Sequence, residues 1–209
     1  EFNENERCHP GKYETAANRG VLYKKMGKYE LAGDYLAESL KIKKEGHMGL
    51  GDYYLRMIKW LDKVEKNPDY LSNFLGVEYL AGSRATASSP LMNKEYLLTL
   101  IKNDYGFSDV YFVLGDVYLN EKKYQLAIRC YHRAINLGHH MNGVLRDRLA
   151  GVGKELLKVK SNDQLVENTF MATHGRQVEK EIEFARVWLK EYQELEASMI
   201  DEGKAVDFK

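Results

Sequence analysis

The clearest alternation of apolar and polar positions lies in residues 108–137, SDVYFVLGDVYLNEKKYQLAIRCYHRAINL. Tyr111, Leu114 and Tyr118, and then Leu126, Tyr131, Ala134 and Leu137, recur at helical spacing. Asn120-Glu121-Lys122 is a polar turn between the two runs. Gly115 and Ala127 are small, which lets two antiparallel helices approach closely. One such hairpin cannot bury its apolar face alone and needs stacked neighbours.

The neighbours are legible as further copies of one spaced signature. Gly20-Val21-Leu22-Tyr23 repeats the G-x-x-Y step, with Ala32 and Leu36 following; Leu50-Gly51-Asp52-Tyr53-Tyr54 and Leu75-Gly76-Val77-Glu78-Tyr79 repeat L-G-x-x-Y. The glycines stand 31, 25 and 39 residues apart, so the period is irregular and the middle copies are degenerate.

The pattern predicts helices over 13–26 and 29–42, joined at Gly27-Lys28. For 47–66 it favours two shorter helices with a break near Met57–Lys59. Pro68 starts a helix over 68–81. Residues 82–89, GSRATASS, are small and polar and read as an inserted loop. Helices over 90–103, 141–158, 162–170 and 174–200 complete the set. Along the last helix, Val178, Ile182, Ala185, Leu189 and Tyr192 alternate four and three apart, a coiled-coil-like seam about two heptads long. Phe184 and Trp188 widen it. The seam fits either a cap over the last repeat or a contact with a partner or a second copy.

In 108–137, Tyr111, Leu114-Gly115, Tyr118, Ala127 and Tyr131 stand in the order of the tetratricopeptide pattern W-x-x-L-G-x-x-Y then A-x-x-x-F, with Tyr replacing Trp and Phe. The segment resembles that family, and the resemblance extends over about 130 residues, from Tyr13 to His140. Residues 45–54, EGHMGLGDYY, also resemble the related, longer Sel-like repeats. The resemblance implies an all-α fold, a right-handed superhelix of antiparallel helix pairs. A flexible segment 1–12, a repeat array 13–140 and capping helices 141–209 would make up the chain. It also implies a concave groove, lined by the first helix of each pair, that binds a peptide or partner protein. Carried onto this chain, the groove positions are Ala17, Val21 and Lys24; Met48, Asp52 and Leu55; Asn73, Val77 and Leu80; and Phe112, Asp116 and Leu119. This lining is mostly apolar and favours an apolar peptide over an anionic one. Ala17 and Val21 occupy the positions where a chaperone-binding subclass carries a Lys-Asn clamp, which argues against that role.

Composition narrows the function classes. Thirty-one basic and 31 acidic residues balance, without the cationic excess of a nucleic-acid or anionic-membrane surface. No apolar run is long enough to span a bilayer. Cys130 falls within a helical pattern and reads as a small buried hydrophobe; a bridge to Cys8 has no positive support. No phosphate loop, H-E-x-x-H or C-x-x-C spacing occurs. His139-His140 would diverge on a helix, which favours solvated or helix-end roles over ligation. These features predict a non-catalytic chain without metal or cofactor. The expected function is a scaffold or adaptor for a partner protein, for instance an assembly factor of a bacterial secretion, pilus or flagellar system. The alternatives are a subunit that oligomerises through its C-terminal helix, with Val178, Ile182, Leu189 and Tyr192 as the seam, or a peptide-sensing regulator.

Overall fold

Two helix hairpins in this chain repeat one another residue for residue. In the first, α1 (Tyr13–Lys25) packs on α2 (Tyr29–Ile42). Gly20 faces α2 so closely that a Cβ would stand 3.3 Å from the Ala32 carbonyl oxygen and 3.5 Å from Leu36 Cβ. The turn is closed by Lys28 N–H donating to Tyr23 O at 2.9 Å, with Gly27 left-handed at φ +72°. In the later hairpin, α5 (Ser108–Asn120) and α6 (Tyr124–Asn136), Gly115 faces Tyr131 and Ala127 is fully buried. There Lys123 N–H donates to Tyr118 O at 2.8 Å, and Lys122 takes the left-handed turn position at φ 58°.

The structure, a computed structural model, describes Arg7, residues 11–80, Gly82, Ala85, 89–157 and 164–201. The remaining described helices are α3 (Gly51–Lys66), α4 (Lys94–Asn103), α7 (Asn142–Leu157) and α8 (Gln164–Asp201). All eight are α-helices and no strand occurs among the described residues; one isolated bridge pairs Ser72 with Glu78. The fold is an all-α, tetratricopeptide-like helical solenoid with a long C-terminal helix. It divides into two compact units, residues 1–152 and 153–209.

In the first unit α3 packs on α2, and α4 on α5. The core runs through Leu36, Met57, Trp60, Leu97, Leu100, Val110 and Val113, all at most 4 % exposed. Cys130 is buried beside it. Desolvation pushes its thiol up to about 12, so it packs as a neutral group. The second unit consists of the last residues of α7 and the 38-residue α8. That single helix takes in residues 164–170 of the segment expected at 162–170 and all of the one expected at 174–200, and Gly175 does not interrupt it.

Two expectations for the middle of the chain are corrected. The 51–66 stretch is one continuous helix without a break at 57–59: Tyr53, Met57 and Trp60 share one buried helical face, and Ile58 is buried as well. Of the stretch expected as a helix at 68–81, the described residues 68–80 are not helical. Asn73 Oδ1 accepts from Leu75 N–H and Val77 N–H, both at 3.0 Å, and Gly76 is left-handed at φ +81°. Such a side-chain bond to nearby backbone offers the chain an alternative to the helix. A tight loop results, closed by Asn73 N–H to Val77 O and Tyr79 N–H to Leu71 O, both at 2.8 Å. Leu75-Gly76-Val77-Glu78-Tyr79 therefore matches the repeat signature without forming its helix. Of the expected loop 82–89, only Gly82, Ala85 and Ser89 are among the described residues; segments 1–6 and 8–10 also lie outside them, with Cys8.

Candidate functional site

The expected groove positions do not share one surface. Phe112, Asp116 and Asn73 do not line an open surface: they are 0 %, 0 % and 1 % exposed. The cause is a polar core that clamps residues 72–80 with Gly82, the 139–140 turn and α7 onto α5. Asp109, in the first turn of α5, accepts at Oδ2 from Phe74 N–H (2.6 Å) and at Oδ1 from the Tyr79 hydroxyl (2.5 Å) and His139 Nε2 (2.9 Å). Met141 N–H donates to His139 Nδ1 at 3.0 Å, which fixes the tautomer with its proton on Nε2. His139 thus stands at a helix end, as expected, but buried rather than solvated. Burial, and next the neighbouring Asp109 carboxylate, hold the Tyr79 hydroxyl well above its ordinary range, so it stays a donor.

Two helical turns along α5, Asp116 Oδ1 accepts from the Tyr131 hydroxyl (2.6 Å) and from Arg148 Nε (3.1 Å). Arg148 also donates to the carbonyls of Leu80 (2.9 Å) and Gly82. Phe112 lies between the two acids, its ring centroid 4.7 Å from that of Tyr79 and 5.2 Å from that of His139. The groove wall that α5 would present is thus filled by the chain itself.

Between α1, α3 and the end of α4 lies an open cleft of about 420 Å³, lined among others by Val21, Lys24, Met48, Tyr54, Met57 and Asp104. It brings together three of the expected groove residues, Val21, Lys24 and Met48. The others are placed elsewhere: Asp52 and Leu80 are exposed, and Leu55, Val77 and Leu119 half-buried, none of them in the cleft lining. Its volume falls in the range of about 300–1,000 Å³ usual for ligand clefts. Val21 is 46 % exposed and Met48 79 %; Met57 and Ile58 form a buried floor. At one side the Lys24 ammonium pairs with the Asp104 carboxylate.

An unusual turn positions Met48. His47, Met48 and Gly49 are all left-handed, at φ 54°, 57° and 78°. Side chains other than glycine seldom adopt this region, so the two non-glycine residues must be held there. Gly46 packs so tightly that a Cβ would stand 2.5 Å from the Tyr13 ring, and His47 N–H donates to the Tyr13 hydroxyl at 2.8 Å. The His47 ring sits between Tyr13 and Tyr54, with centroids at 5.8 and 5.3 Å. Burial lowers the His47 pKa and raises that of Tyr54, so both are neutral at pH 7. The cleft offers an apolar floor, an exposed thioether at its lip and one ion pair, but no nucleophile poised beside a base.

The expected seam on α8 is only partly formed as a face. Val178 is buried, Ile182, Leu189 and Tyr192 are half-buried, and Phe184 and Trp188 are the more exposed apolar groups. Among the described residues, no three potential metal ligands converge, and no helix is long and apolar enough to cross a membrane.

The tetratricopeptide repeat family model matches residues 13–45 and again 108–139. These are the two hairpins with the shared glycine contact and turn, and each of them is a tetratricopeptide repeat. No curated protein matches it. Repeats of this family serve as protein-interaction modules, and protein binding is accordingly the general class of function here.

Sequence reasoning missed the polar core. Asp109 gave no signal beyond its place in the first helical turn, and Arg148 none beyond a basic residue among apolar ones. Nothing in the sequence signalled the left-handed turn that carries the exposed Met48.

Proposed function

We propose that the chain is a scaffold that captures a partner protein by seating an apolar side chain of a partner peptide in the α1–α3 cleft. The observation that supports this reading is the cleft itself, which is open and includes Val21, Lys24 and Met48 in its lining, whereas Phe112 and Asp116 of α5 are buried. Met57 and Ile58 supply a desolvated floor, and Val21 and Met48 flank the mouth. An unbranched thioether adapts to differently shaped side chains. The Lys24–Asp104 pair can rearrange to meet a peptide carbonyl or amide beside the anchor. A role in assembling a larger bacterial envelope machine is compatible with such a scaffold, but no residue of the cleft selects it.

Selection of a random peptide library against the full chain tests the reading. The expected result is a set of peptides sharing one large apolar residue, whose binding falls at least about tenfold in Met48→Asp. Met48 is exposed, so this substitution leaves the fold intact. Peptides that bind Met48→Asp as well as the parent, and instead lose binding to Trp188→Asp, would overturn it.

A further inference from the structure

A second surface lies on the other unit. The α8 helix is 38 residues long, about 57 Å at 1.5 Å per residue. Phe184, Trp188 and Leu195 share one helical face and are 76 %, 57 % and 58 % exposed, with Val187 at its edge 49 % exposed. Tyr192 stacks on Trp188, ring centroids 5.4 Å apart and planes within 18°. Aromatic groups clustered in this way are what the centres of protein interfaces are made of.

We infer that this face pairs with the same face of a second copy, the two α8 helices running antiparallel. The charge pattern along its edge selects that occupant. Arg176, Lys180, Glu183, Val187, Glu191 and Glu194 follow one another three or four residues apart and so form one row. The row is basic at its N-terminal end and acidic at its C-terminal end, and no Lys or Arg occurs from Glu191 to Asp201. In an antiparallel pair with its two-fold axis near Ala185–Arg186, the row meets itself in reverse. Lys180 then faces Glu191 of the second copy, and Arg176 faces its Glu194, each pair occurring twice by symmetry. The same register sets Phe184 opposite Val187 and overlaps residues 170–201 of both helices. A parallel pair would bring the acidic ends together. Within its own helix Glu194 lies 3.7 Å from Lys190, both well exposed, which leaves it accessible to a second cation.

Sedimentation equilibrium of the full chain, from micromolar to millimolar concentration, tests the pairing. The expected parent is a reversible dimer, with Trp188→Asp and Phe184→Asp monomeric at unchanged helical circular dichroism. Charge reversal then tests the direction. Lys180→Glu alone and Glu191→Lys alone should each dimerise about tenfold more weakly, since each sets like charges opposite one another twice. Mixed together, the two variants should form a heterodimer of at least parental strength, because every pair across the axis is then opposite in sign. A parent that stays monomeric throughout overturns the inference. So does a dimer that survives Trp188→Asp and Phe184→Asp together. A dimer indifferent to both charge reversals would overturn the antiparallel register.

Discussion

The ring of Tyr131 lies directly over Gly115: a Cβ on that glycine would stand 2.4 Å from Tyr131 Cε1 and 2.6 Å from Cδ1. Tyr131 cannot retreat. It is fully buried, and its hydroxyl is held by Asp116. Gly115→Ala is therefore expected to cost about 1–3 kcal/mol, in line with overpacked cores, and Gly115→Leu more. Gly143, in the first turn of α7, has nothing within 4 Å of a Cβ. Gly143→Ala should be neutral or stabilising by about 0.5 kcal/mol. Urea midpoints of the variants check the contrast; equal shifts would contradict the close contact.

Arg148 and Asp116 form a fully buried ion pair, with both side chains 0 % exposed. Breaking such a pair by removing one partner typically costs about 3–5 kcal/mol, because a charge is left uncompensated. Arg148→Met should show a loss of that order. It should also free the Leu80 carbonyl and so raise amide exchange around residue 80. Replacing both partners, as Asp116→Asn with Arg148→Met, should cost less than the Arg148→Met single change. A double variant at least as unstable as the sum of the two singles would show that the pair is not the clamp.

How much of this was legible in the sequence depended on whether local pattern and tertiary contact agreed. At α1–α2 and α5–α6 they agree: the small Gly and Ala positions, the polar turn and the apolar stripe all specify one hairpin. At Leu75–Tyr79 they conflict. The letters match the repeat, but Asn73 bonds its own backbone, and Asp109, distant in sequence, holds Phe74 N–H and the Tyr79 hydroxyl. No local window contains that information. Phe112 and Asp116 were assigned to the groove for the same reason. What buries them comes from residues 72–80, residues 139–140 and α7. Val21, by contrast, stays exposed at its helical phase in α1, because no distant segment covers it.

Burial lowers the pKa of both His47 and His140 below the ordinary 6.5. His140 Nε2 donates to Tyr70 O at 2.8 Å, and its Nδ1 is buried without a partner. In the unfolded chain these rings take up a proton near pH 6.5; in the fold they resist until a lower pH. The unfolded state then binds more protons, so stability is intact above pH 6.5 and declines as pH falls through the lowered values. Melting temperature measured on both sides of pH 6.5 should fall toward acid, with the slope reduced in His140→Gln. A slope unchanged in His140→Gln and in His47→Gln would assign the decline to other groups.

The central claim, that the open cleft on the first repeat is the receptor, is tested most directly by methyl spectra of the chain labelled at its seven methionines. Met48 stands at the mouth of the cleft and Met57 on its floor, while Met141 and Met199 lie outside its lining. Titrating a peptide selected for binding should shift the Met48 and Met57 methyl signals along one saturating curve and leave those of Met141 and Met199 in place. Saturation with Met48 and Met57 unmoved, and Met199 displaced instead, would contradict the account.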